Sequence, residues 1–490
     1  MLQRARGQPH KTLQHVRGHA SEVGAQRSLS TAFVEFALST MGRPIPDAVL
    51  HAARRQVLDT LGVASVATTQ PFAHRLRQVV TPTHASRAVA LGVSQRCTAP
   101  DAAFVNGVLA HGLDFDDTFQ PGIVHVGAIV IPTALAVSAV EGSSNDDTLT
   151  SIVLGYELAT RLAIASPAAF HLRGFHPTPI CGAFAAALTA ALLMRLDQDQ
   201  MVNALGLAGS LASGVQQFLE DGTEAKQIHA GWAALAGIRA ATLAKAGFSG
   251  PAAIWEGRYG LYATHVGLEH FDRAALVDGL GTRWNVLRMS VKPYPCCHFL
   301  HAHIDAVRSL RRLHGLTADQ VRRVRCLIHP AGLTLVAEPI AEKKRPSTPY
   351  GAKFSLPYTV AVALVHGNVD TLSFAEERLR EEEVLAVAER TECRVDLQSH
   401  FPEYFDGGVE LELFDGSVLT HREAVNRGSA ERPLSDAELV QKFGGNLEAA
   451  GIRRERAKEL AHGILAGGDV RGVAEDVNRG LLHGQAEQDV

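Results

Sequence analysis

The sequence lacks the features of a membrane-spanning or nucleic-acid-binding protein. Its 490 residues contain no run of about 20 uninterrupted apolar residues, which a membrane-spanning helix requires. The formal net charge of −4 provides no basic surface for nucleic acid or for an acidic membrane. With 46% hydrophobic and 20% charged residues, the composition predicts a globular protein that acts on a small molecule.

Cysteine is scarce and scattered. Only Cys296 and Cys297 are close among the six cysteines, and they are adjacent rather than spaced as in a zinc or iron–sulfur motif. This pattern, without a recognisable secretion signal, predicts a cytoplasmic protein. Residues 1–28 are basic and poor in apolar side chains, which predicts a disordered tail, with an organellar transit peptide as the alternative.

The apolar pattern predicts a mostly α fold in which both chain ends contribute to one large all-α domain. Over residues 29–290, apolar residues return every three or four positions. Residues 429–490 return to this pattern, and Ser435 begins a capping box, the sequence signature of a helix start. We therefore expect these two segments to pack together.

Residues 291–428 are predicted to form a smaller α+β lid domain, inserted near the C-terminal third of the chain. The strongest strand signal is a hairpin around Asp415 and Gly416, a pair that favours a type I′ turn. Two further strands are expected near residues 324–329 and 393–397, and helices are expected over 355–364 and 374–388.

A dense cluster of ionisable residues follows the helix predicted to begin near residue 100. Asp114, Asp116 and Asp117 lie between His111 and His125. Burying such a cluster is costly, so it predicts either a solvated loop or a site that handles protons. If the helix continues for one more turn, Asp114 and Asp117 share an edge. A magnesium-dependent terpenoid synthase would need a second acidic cluster, and the chain shows no convincing one.

Three further segments carry candidate site residues. His176 precedes a predicted helix for which Thr178 is the expected N-cap, and a helix N-terminus attracts anions. Lys226 and His229 are three residues apart and would share a helix edge. Lys292 lies at the predicted domain junction, where clefts are common. Each residue alone also fits an ordinary structural role.

Histidines near the next predicted helix are a weaker candidate for a metal site. His298, His301 and Asp305 can share one helix face, but histidines near a helix start more often pack or cap. Cys296 and Cys297 are best interpreted as small packing residues, because a neighbouring His298 is weak evidence for a lowered thiol pKa. These residues therefore do not predict a metal site.

Five segments together resemble the MmgE/PrpD family, which includes 2-methylcitrate dehydratase, cis-aconitate decarboxylase and an iminodisuccinate epimerase. They occur in the family's order and span residues 29–482: His111–Thr118, Gly174–Thr178, Asp221–Trp232, Lys292–His301 and Pro349–Pro357. The resemblance implies a large helical domain, a smaller lid domain, a homodimer and chemistry without a metal or cofactor.

The resemblance also implies which residues form the site. We expect catalytic roles for five residues: Asp114, His125, His176, Lys226 and Lys292. We expect four others to bind the substrate: Thr118, Thr178, His229 and His301. In this hypothesis the lysines and Thr118 hold a carboxylate while His176 and Asp114 transfer protons, assisted by His125.

The predicted function is a lyase that moves a proton next to a carboxylate of a small di- or tricarboxylate, most similar to 2-methylcitrate dehydratase. Decarboxylation of the cis-aconitate type and epimerisation of the iminodisuccinate type stay open, as does a non-catalytic helical protein that binds carboxylates. The chain departs from the family's common motif at Phe119, where many members have histidine, and at Val126 and Gly127, where Pro-Ser is frequent.

Overall fold

The computed structural model describes residues 27–488, so the predicted basic tail lies almost entirely outside the described residues. The first part of the chain is helical. In chain order its helices are α1 (Leu29–Thr40), α2 (Asp47–Ala67), α3 (Pro71–Arg77), α4 (Ala99–His111), α5 (Gly127–Glu141), α6 (Asn145–Ile164), α7 (Ala169–Leu172), α8 (Pro177–Leu193), α9 (Gln198–Gly209), α10 (Phe218–Asp221), α11 (Ala225–Lys245), α12 (Leu261–His265) and α13 (Arg273–Val277).

Strands appear only in the next part of the described chain, between short helices. In order the elements are α14 (His301–His314), β1 (Val321–Ile328), α15 (Pro330–Val336), α16 (Ile340–Lys344), α17 (Pro349–Ala352), α18 (Leu356–His366), α19 (Glu382–Glu389), β2 (Thr391–Val395), β3 (Gly407–Leu413) and β4 (Val418–Glu423). The chain then returns to helix in α20 (Asp436–Ala449), α21 (Arg454–Leu465) and α22 (Val470–Gln488). The predicted mostly α fold with a small α+β region is confirmed.

Helix α8 lies at the centre of the helical core. Every residue from Pro177 to Leu193 is buried, and α5, α6 and α11 pack around it. Its many alanines explain this position, because alanine favours helix formation and its small side chain lets neighbouring helix axes approach closely. The same principle operates where α4 crosses α11: a Cβ added to Gly107 would lie 2.8 Å from the Gly231 Cα. This crossing brings the loop after α4 next to the start of α11.

The C-terminal helices complete the core that the N-terminal helices begin. Helices α20 and α21 pack against α2, and one hydrophobic cluster contains residues from both ends of the described chain. The predicted capping box forms, with the Glu438 N–H donating to the Ser435 hydroxyl. Farther on, Asn478 of α22 accepts from the Gly92 N–H and donates to the Val93 carbonyl.

A four-stranded sheet in the order β2-β1-β3-β4 carries the second hydrophobic core. Strand β1 pairs parallel to β2 and antiparallel to β3. The predicted hairpin is β3–β4, but its turn is not type I′, because only Gly416 has a positive φ, of 88°. The helix predicted over 374–388 is also too long: regular α-helix begins only at Glu382, after two short 3₁₀ turns.

Within residues 27–488, none of the helices combines the length and the apolar character that a bilayer crossing requires.

The Gly107–Gly231 crossing can be tested by adding a methyl group. Because a Cβ at Gly231 would lie 2.3 Å from the Phe104 carbonyl oxygen, Gly231→Ala should force α4 and α11 apart. Overpacking of this kind costs about 1–3 kcal/mol, so the thermal midpoint of unfolding should fall by about 1–3 °C. The control is Gly445→Ala in α20, where nothing lies within 4 Å. An unchanged midpoint for Gly231→Ala would contradict the close crossing.

Candidate active site

The carboxylate cluster lies on a loop and not on an extension of α4. The helix ends at His111. Asp114 then adopts a left-handed backbone conformation with a φ of 54°, which aspartate tolerates better than most residues. Its neighbours Leu113 and Phe115 are buried and anchor the loop in the core. The prediction that Asp114 and Asp117 share a helix edge is therefore wrong.

Asp114 lies between two buried lysines. Its Oδ1 is 2.5 Å from Lys226 Nζ and its Oδ2 is 3.2 Å from Lys292 Nζ. Lys292 also donates to the Asp114 carbonyl oxygen at 2.9 Å. Burial alone would raise the pKa of Asp114, but the two lysines and His125 hold it well below its usual range. The carboxylate is therefore ionised and is a weak base.

Lys226, at the start of α11, depends on the Asp114 carboxylate for its positive charge. Burial would lower the pKa of Lys226, but the charge of Asp114, its hydrogen bond to Lys226 and the charge of Asp116 together raise it. The Lys226 ammonium also lies 5.1 Å from the centre of the Phe354 ring, which comes from the second hydrophobic core. Lys226 thus remains a cation and contacts both parts of the molecule.

Asp116 and Asp117 hold the loop in place. His111 Nδ1 donates to Asp116 at 2.7 Å; burial opposes ionisation, yet His111 and His125 bring the pKa of Asp116 down to about 2. Asp117 accepts from the Gly127 N–H at 2.9 Å and from the Tyr156 hydroxyl at 2.6 Å. Burial raises the pKa of Asp117 to about 7. Neither carboxylate lines the cavity described below.

His125 presents an unprotonated nitrogen to the site. Its Nδ1 lies 2.7 Å from the Asp117 carbonyl oxygen, which can only accept, so Nδ1 carries the proton and Nε2 carries the lone pair. Burial lowers the pKa of His125 to about 3, despite the nearby Asp116. The neutral ring is therefore set up to accept a proton at Nε2.

His176 and His229 form a pair of neutral histidines. Their Nδ1 atoms are 3.0 Å apart, so the Nδ1–H of one ring donates a hydrogen bond to the unprotonated Nδ1 of the other. Burial lowers the pKa of His176 well below its usual range and that of His229 to about 4. His176 lines the cavity, whereas His229 supports it from α11. A proton can therefore pass along this pair.

The two predicted threonines have different surroundings. Thr118 lines the cavity, with its hydroxyl 3.3 Å from His125 Nδ1, and its backbone pairs with Ser290 in both directions. Thr178 is fully buried and its hydroxyl accepts the His125 N–H, so it lies behind His125 rather than on the cavity surface. The N-cap of α8 is His176 and not Thr178, which corrects the predicted helix start.

His301 also lies behind the cavity rather than in its lining. It is fully buried, and its Nε2 is 3.1 Å from the Cys296 carbonyl oxygen. Its ring packs against Tyr294 and His298. The structure therefore places this predicted substrate ligand one layer away from the cavity.

Six of the nine predicted site residues line a cavity of about 160 Å³ between the two hydrophobic cores. We call its charged and hydrogen-bonding residues the polar lining: Asp114, Thr118, His125, His171, His176, Gln216, Lys226, Lys292, Cys297 and His298. Its hydrocarbon residues are the apolar lining: Ile123, Phe218, Leu219, Phe299, Leu335, Phe354 and Phe405. A small molecule with both an anionic and an apolar part fits this division.

Four polar lining residues were missed as site residues from the sequence: His171, Gln216, Cys297 and His298. His171 lies on the four-residue helix α7, and no motif marks it. Burial lowers the pKa of His171 to about 4 and raises that of the Cys297 thiol to about 11. The thiol is therefore protonated at neutral pH. In the sequence, only the segment Lys292–His301 indicated that Cys297 and His298 lie near the site.

One cluster in the described chain has the composition of a metal site. A nitrogen of His111, an oxygen of Asp116 and a nitrogen of His125 lie within 4.8 Å of one another. His111 Nδ1 donates to Asp116 Oδ2 and His125 Nδ1 donates to the Asp117 carbonyl, whereas His111 Nε2 and Asp116 Oδ1 have no hydrogen-bond partner among the described residues. The hydrogen bonds therefore account for only part of the cluster.

The charges at the cavity favour an anion. Two ammonium groups and one carboxylate in the polar lining leave an excess of one positive charge, and the pKa values of His125, His171, His176 and His298 are all lowered. A bound carboxylate near these rings would raise their pKa values, because an opposite charge stabilises the imidazolium. The site can thus bind an anion and become more basic as it does so.

Comparison with known proteins gives matches over most of the chain. The model of the MmgE/PrpD N-terminal domain matches residues 31–274 and that of the MmgE/PrpD C-terminal domain matches residues 294–464. A cis-aconitate decarboxylase-like protein of Aspergillus oryzae is 24% identical, over 86% of this chain and 91% of the relative. The cis-aconitate decarboxylase of Homo sapiens is 28% identical, over 82% and 84%. The 2-methylcitrate dehydratase of Salmonella typhimurium is 26% identical, over 82% and 87%.

The buried neutral histidines predict acid-sensitive stability. The folded pKa of His125 is about 3, below the ordinary value of 6.5, so between these values the unfolded chain binds more protons. The contribution of neutral His125 to the free energy of unfolding is complete above pH 6.5. This contribution decreases by about 1.4 kcal/mol per pH unit as the pH falls toward 3. The thermal midpoint should therefore fall between pH 6.5 and pH 5.

The variant His125→Gln should weaken this pH dependence by about one proton. Its matched control is His314→Gln, which changes an exposed histidine at the end of α14. A thermal midpoint that does not change between pH 6.5 and pH 5 in the unmodified protein would show that these rings are not buried as neutral bases.

Proposed function

The chain belongs to the MmgE/PrpD family, and we propose that it is a lyase that removes a proton next to a carboxylate of a small di- or tricarboxylate. The observation that carries this proposal is the buried Lys226–Asp114–Lys292 group beside His125. The lysines supply the charge that stabilises an enolate-like intermediate, and His125 Nε2 supplies the base. No metal or organic cofactor takes part in the proposed reaction.

The proposed substrate is 2-methylcitrate or a close analogue, and the reaction is its dehydration. The apolar lining supports a substrate with a hydrocarbon substituent, because a methyl group gains free energy on leaving water for such a surface. A relative that covers most of this chain carries the name 2-methylcitrate dehydratase.

The proposed steps use the neutral histidines for proton transfer. A substrate carboxylate binds Lys226, Lys292 and Thr118, and its charge raises the pKa of His125. The C–H bond then breaks, with the proton moving to His125 Nε2 and the electron pair to the enolate. The C–O bond breaks next, and the leaving hydroxide takes the proton from the His125 imidazolium and departs as water, which restores the neutral ring. In this scheme Asp114 holds the two ammonium groups and does not act as the base.

Decarboxylation of cis-aconitate is the second candidate. The comparisons favour it, because relatives named cis-aconitate decarboxylase match up to 91% of this chain. The same lysines would stabilise the electron pair that remains when carbon dioxide leaves. Epimerisation of iminodisuccinate would need only the return of the proton on the other face.

The experiment follows 2-methylcitrate, citrate, cis-aconitate and iminodisuccinate in heavy water, measuring deuterium uptake, alkene formation and carbon dioxide release. We expect dehydration of 2-methylcitrate, with a rate that a chelator does not change. His125→Gln should lower the rate by about 10²–10⁴-fold, the usual contribution of a general base. His314→Gln, on the exposed end of α14, is the matched control and should keep the full rate.

Binding of these compounds without exchange of any proton would favour the non-catalytic carboxylate-binding protein instead. Loss of activity with a chelator and its return with a metal would contradict the proposed cofactor independence.

We further propose that the α+β part acts as a lid and that the enzyme works in the cytoplasm. The first proposal is supported by the cavity lining, since Phe299, Leu335, Phe354 and Phe405 come from the α+β part and face a site built on the helical core. Hydrogen exchange measured with and without ligand tests the lid.

The proposed cytoplasmic location is supported by the six free cysteines, which suit a reducing compartment. Cell fractionation tests this location.

The proposed assembly is a homodimer formed through α11. This helix exposes Ile228, Trp232 and Leu243, which are 47%, 45% and 37% exposed, as a stripe of apolar side chains. Trp232→Asp should therefore convert a dimer into a monomer in light scattering coupled to size-exclusion chromatography. Leu397→Asp, at a position 91% exposed beyond β2, is the control. A wild-type protein that runs as a monomer would refute the dimer.

A further inference from the structure

His298 lies in the cavity lining at the start of the α+β part, and its ring is held in one orientation. The ring stacks on Phe405 with centroids 4.7 Å apart and planes inclined by 4°. The residue is buried, with 5% of its surface exposed. Neither the resemblance to the family nor the reaction scheme above assigns it a role.

Asn426 fixes the position of the proton on this ring. The amide nitrogen of Asn426 donates to His298 Nε2 at 2.8 Å, while its amide oxygen accepts from Gln120 Nε2 at 3.1 Å. Because Nε2 accepts a hydrogen bond, the proton of the neutral ring is on Nδ1. Gln120 thus orients Asn426, and Asn426 selects the Nδ1–H tautomer of His298.

The Nδ1–H group itself has no hydrogen-bond partner among the residues that the structure describes. An unpaired buried donor costs free energy, and such groups in native proteins call for an explanation. Burial also lowers the pKa of His298 well below its usual range, with His301 and Lys292 acting in the same direction. The ring therefore stays neutral and keeps its single N–H in place.

We propose that His298 binds the substrate through its Nδ1–H as a neutral hydrogen-bond donor, and that Asn426 is the positioning residue that keeps the proton on this nitrogen. The proposal rests on the proposed function, because the acceptor is an oxygen of the same di- or tricarboxylate. Lys226 and Lys292 are partly neutralised by Asp114, so a second carboxylate or a hydroxyl of the substrate needs neutral donors.

A purely structural role for His298 is the competing explanation. His301 donates from Nε2 to the Cys296 carbonyl, so its buried Nδ1 carries a lone pair without a partner, and the rings of His298 and His301 have centroids 4.8 Å apart. Pairing between these two rings would satisfy both nitrogens without any ligand. The two roles differ in what they predict for substrate binding.

Two variants remove the donor in different ways. Asn426→Asp keeps the shape of the side chain but offers only acceptors, so a ring that stays neutral carries its proton on Nε2 and presents a lone pair on Nδ1 to the substrate; the ¹⁵N shifts of the ring distinguish this tautomer from an imidazolium. His298→Phe keeps the ring and its stacking on Phe405 but deletes both nitrogens. Asn478→Asp is the matched control, since it makes the same change at a buried asparagine of α22 that bonds only to backbone.

For whichever of the four compounds the wild-type enzyme turns over, the KM should rise about tenfold or more in both variants, the usual effect of losing a hydrogen bond to a charged group. The change in kcat should be smaller, and the control should keep the wild-type KM. Normal KM values in Asn426→Asp and His298→Phe, with only the thermal midpoint lowered, would overturn the inference and leave the proposed function standing.

A measurement that needs no turnover uses tricarballylate as an unreactive tricarboxylate. In protein labelled with ¹⁵N-histidine, the His298 signals are those that vanish in His298→Phe. We expect a protonated Nδ1 that shifts when tricarballylate binds, and weaker tricarballylate binding by Asn426→Asp in calorimetry. A wild-type ring protonated at Nε2 would overturn the inference. Tricarballylate bound through His298, with no compound turned over, would support the inference and refute the proposed function.

Discussion

The buried carboxylate of Asp114 and the two ammonium groups that face it are the interaction on which the site depends. The three residues come from the loop after α4, the start of α11 and the junction before α14. Breaking a buried ion pair by removing one partner costs about 3–5 kcal/mol, and loss of Asp114 would leave two cations without their carboxylate. The Gly107–Gly231 crossing and the Thr118–Ser290 backbone pair bring these segments together.

The same arrangement explains why the surrounding histidines are neutral. The excess positive charge of the lysines and the burial of the rings both disfavour imidazolium, so the rings enter a reaction as acceptors or neutral donors. A carboxylate substrate reverses this effect when it binds, because it compensates the lysines. The charge of the substrate and the basicity of the site are therefore coupled. The pKa values of the cavity histidines should be lower in the substrate-free protein than in the substrate complex.

The C-terminal helices support this site from behind. Lys442 of α20 donates to the Phe115 carbonyl at 3.2 Å, lies 3.8 Å from the centre of the Phe115 ring and pairs with Asp59 of α2 at 2.6 Å. The loop that carries Asp114 thus faces the cavity on one side and contacts Lys442 of α20 on the other. This contact shows one structural consequence of a helical core formed from both ends of the chain: a C-terminal helix stabilises the loop that carries Asp114.

The sequence by itself determined the features that rest on local physical chemistry: the periodicity of the helices, the capping box at Ser435, the hairpin at Gly416 and the concentration of carboxylates after α4. Five separate segments also contained Asp114, Thr118, His176, Lys226 and Lys292, which the cavity brings together. The tertiary structure alone decided that α4 ends before Asp114, that Thr178 and His301 lie behind the cavity, and that His171 and His298 line it. Burial and pairing between distant segments set protonation states and tautomers, and neither can be read from the spacing of residues along a chain.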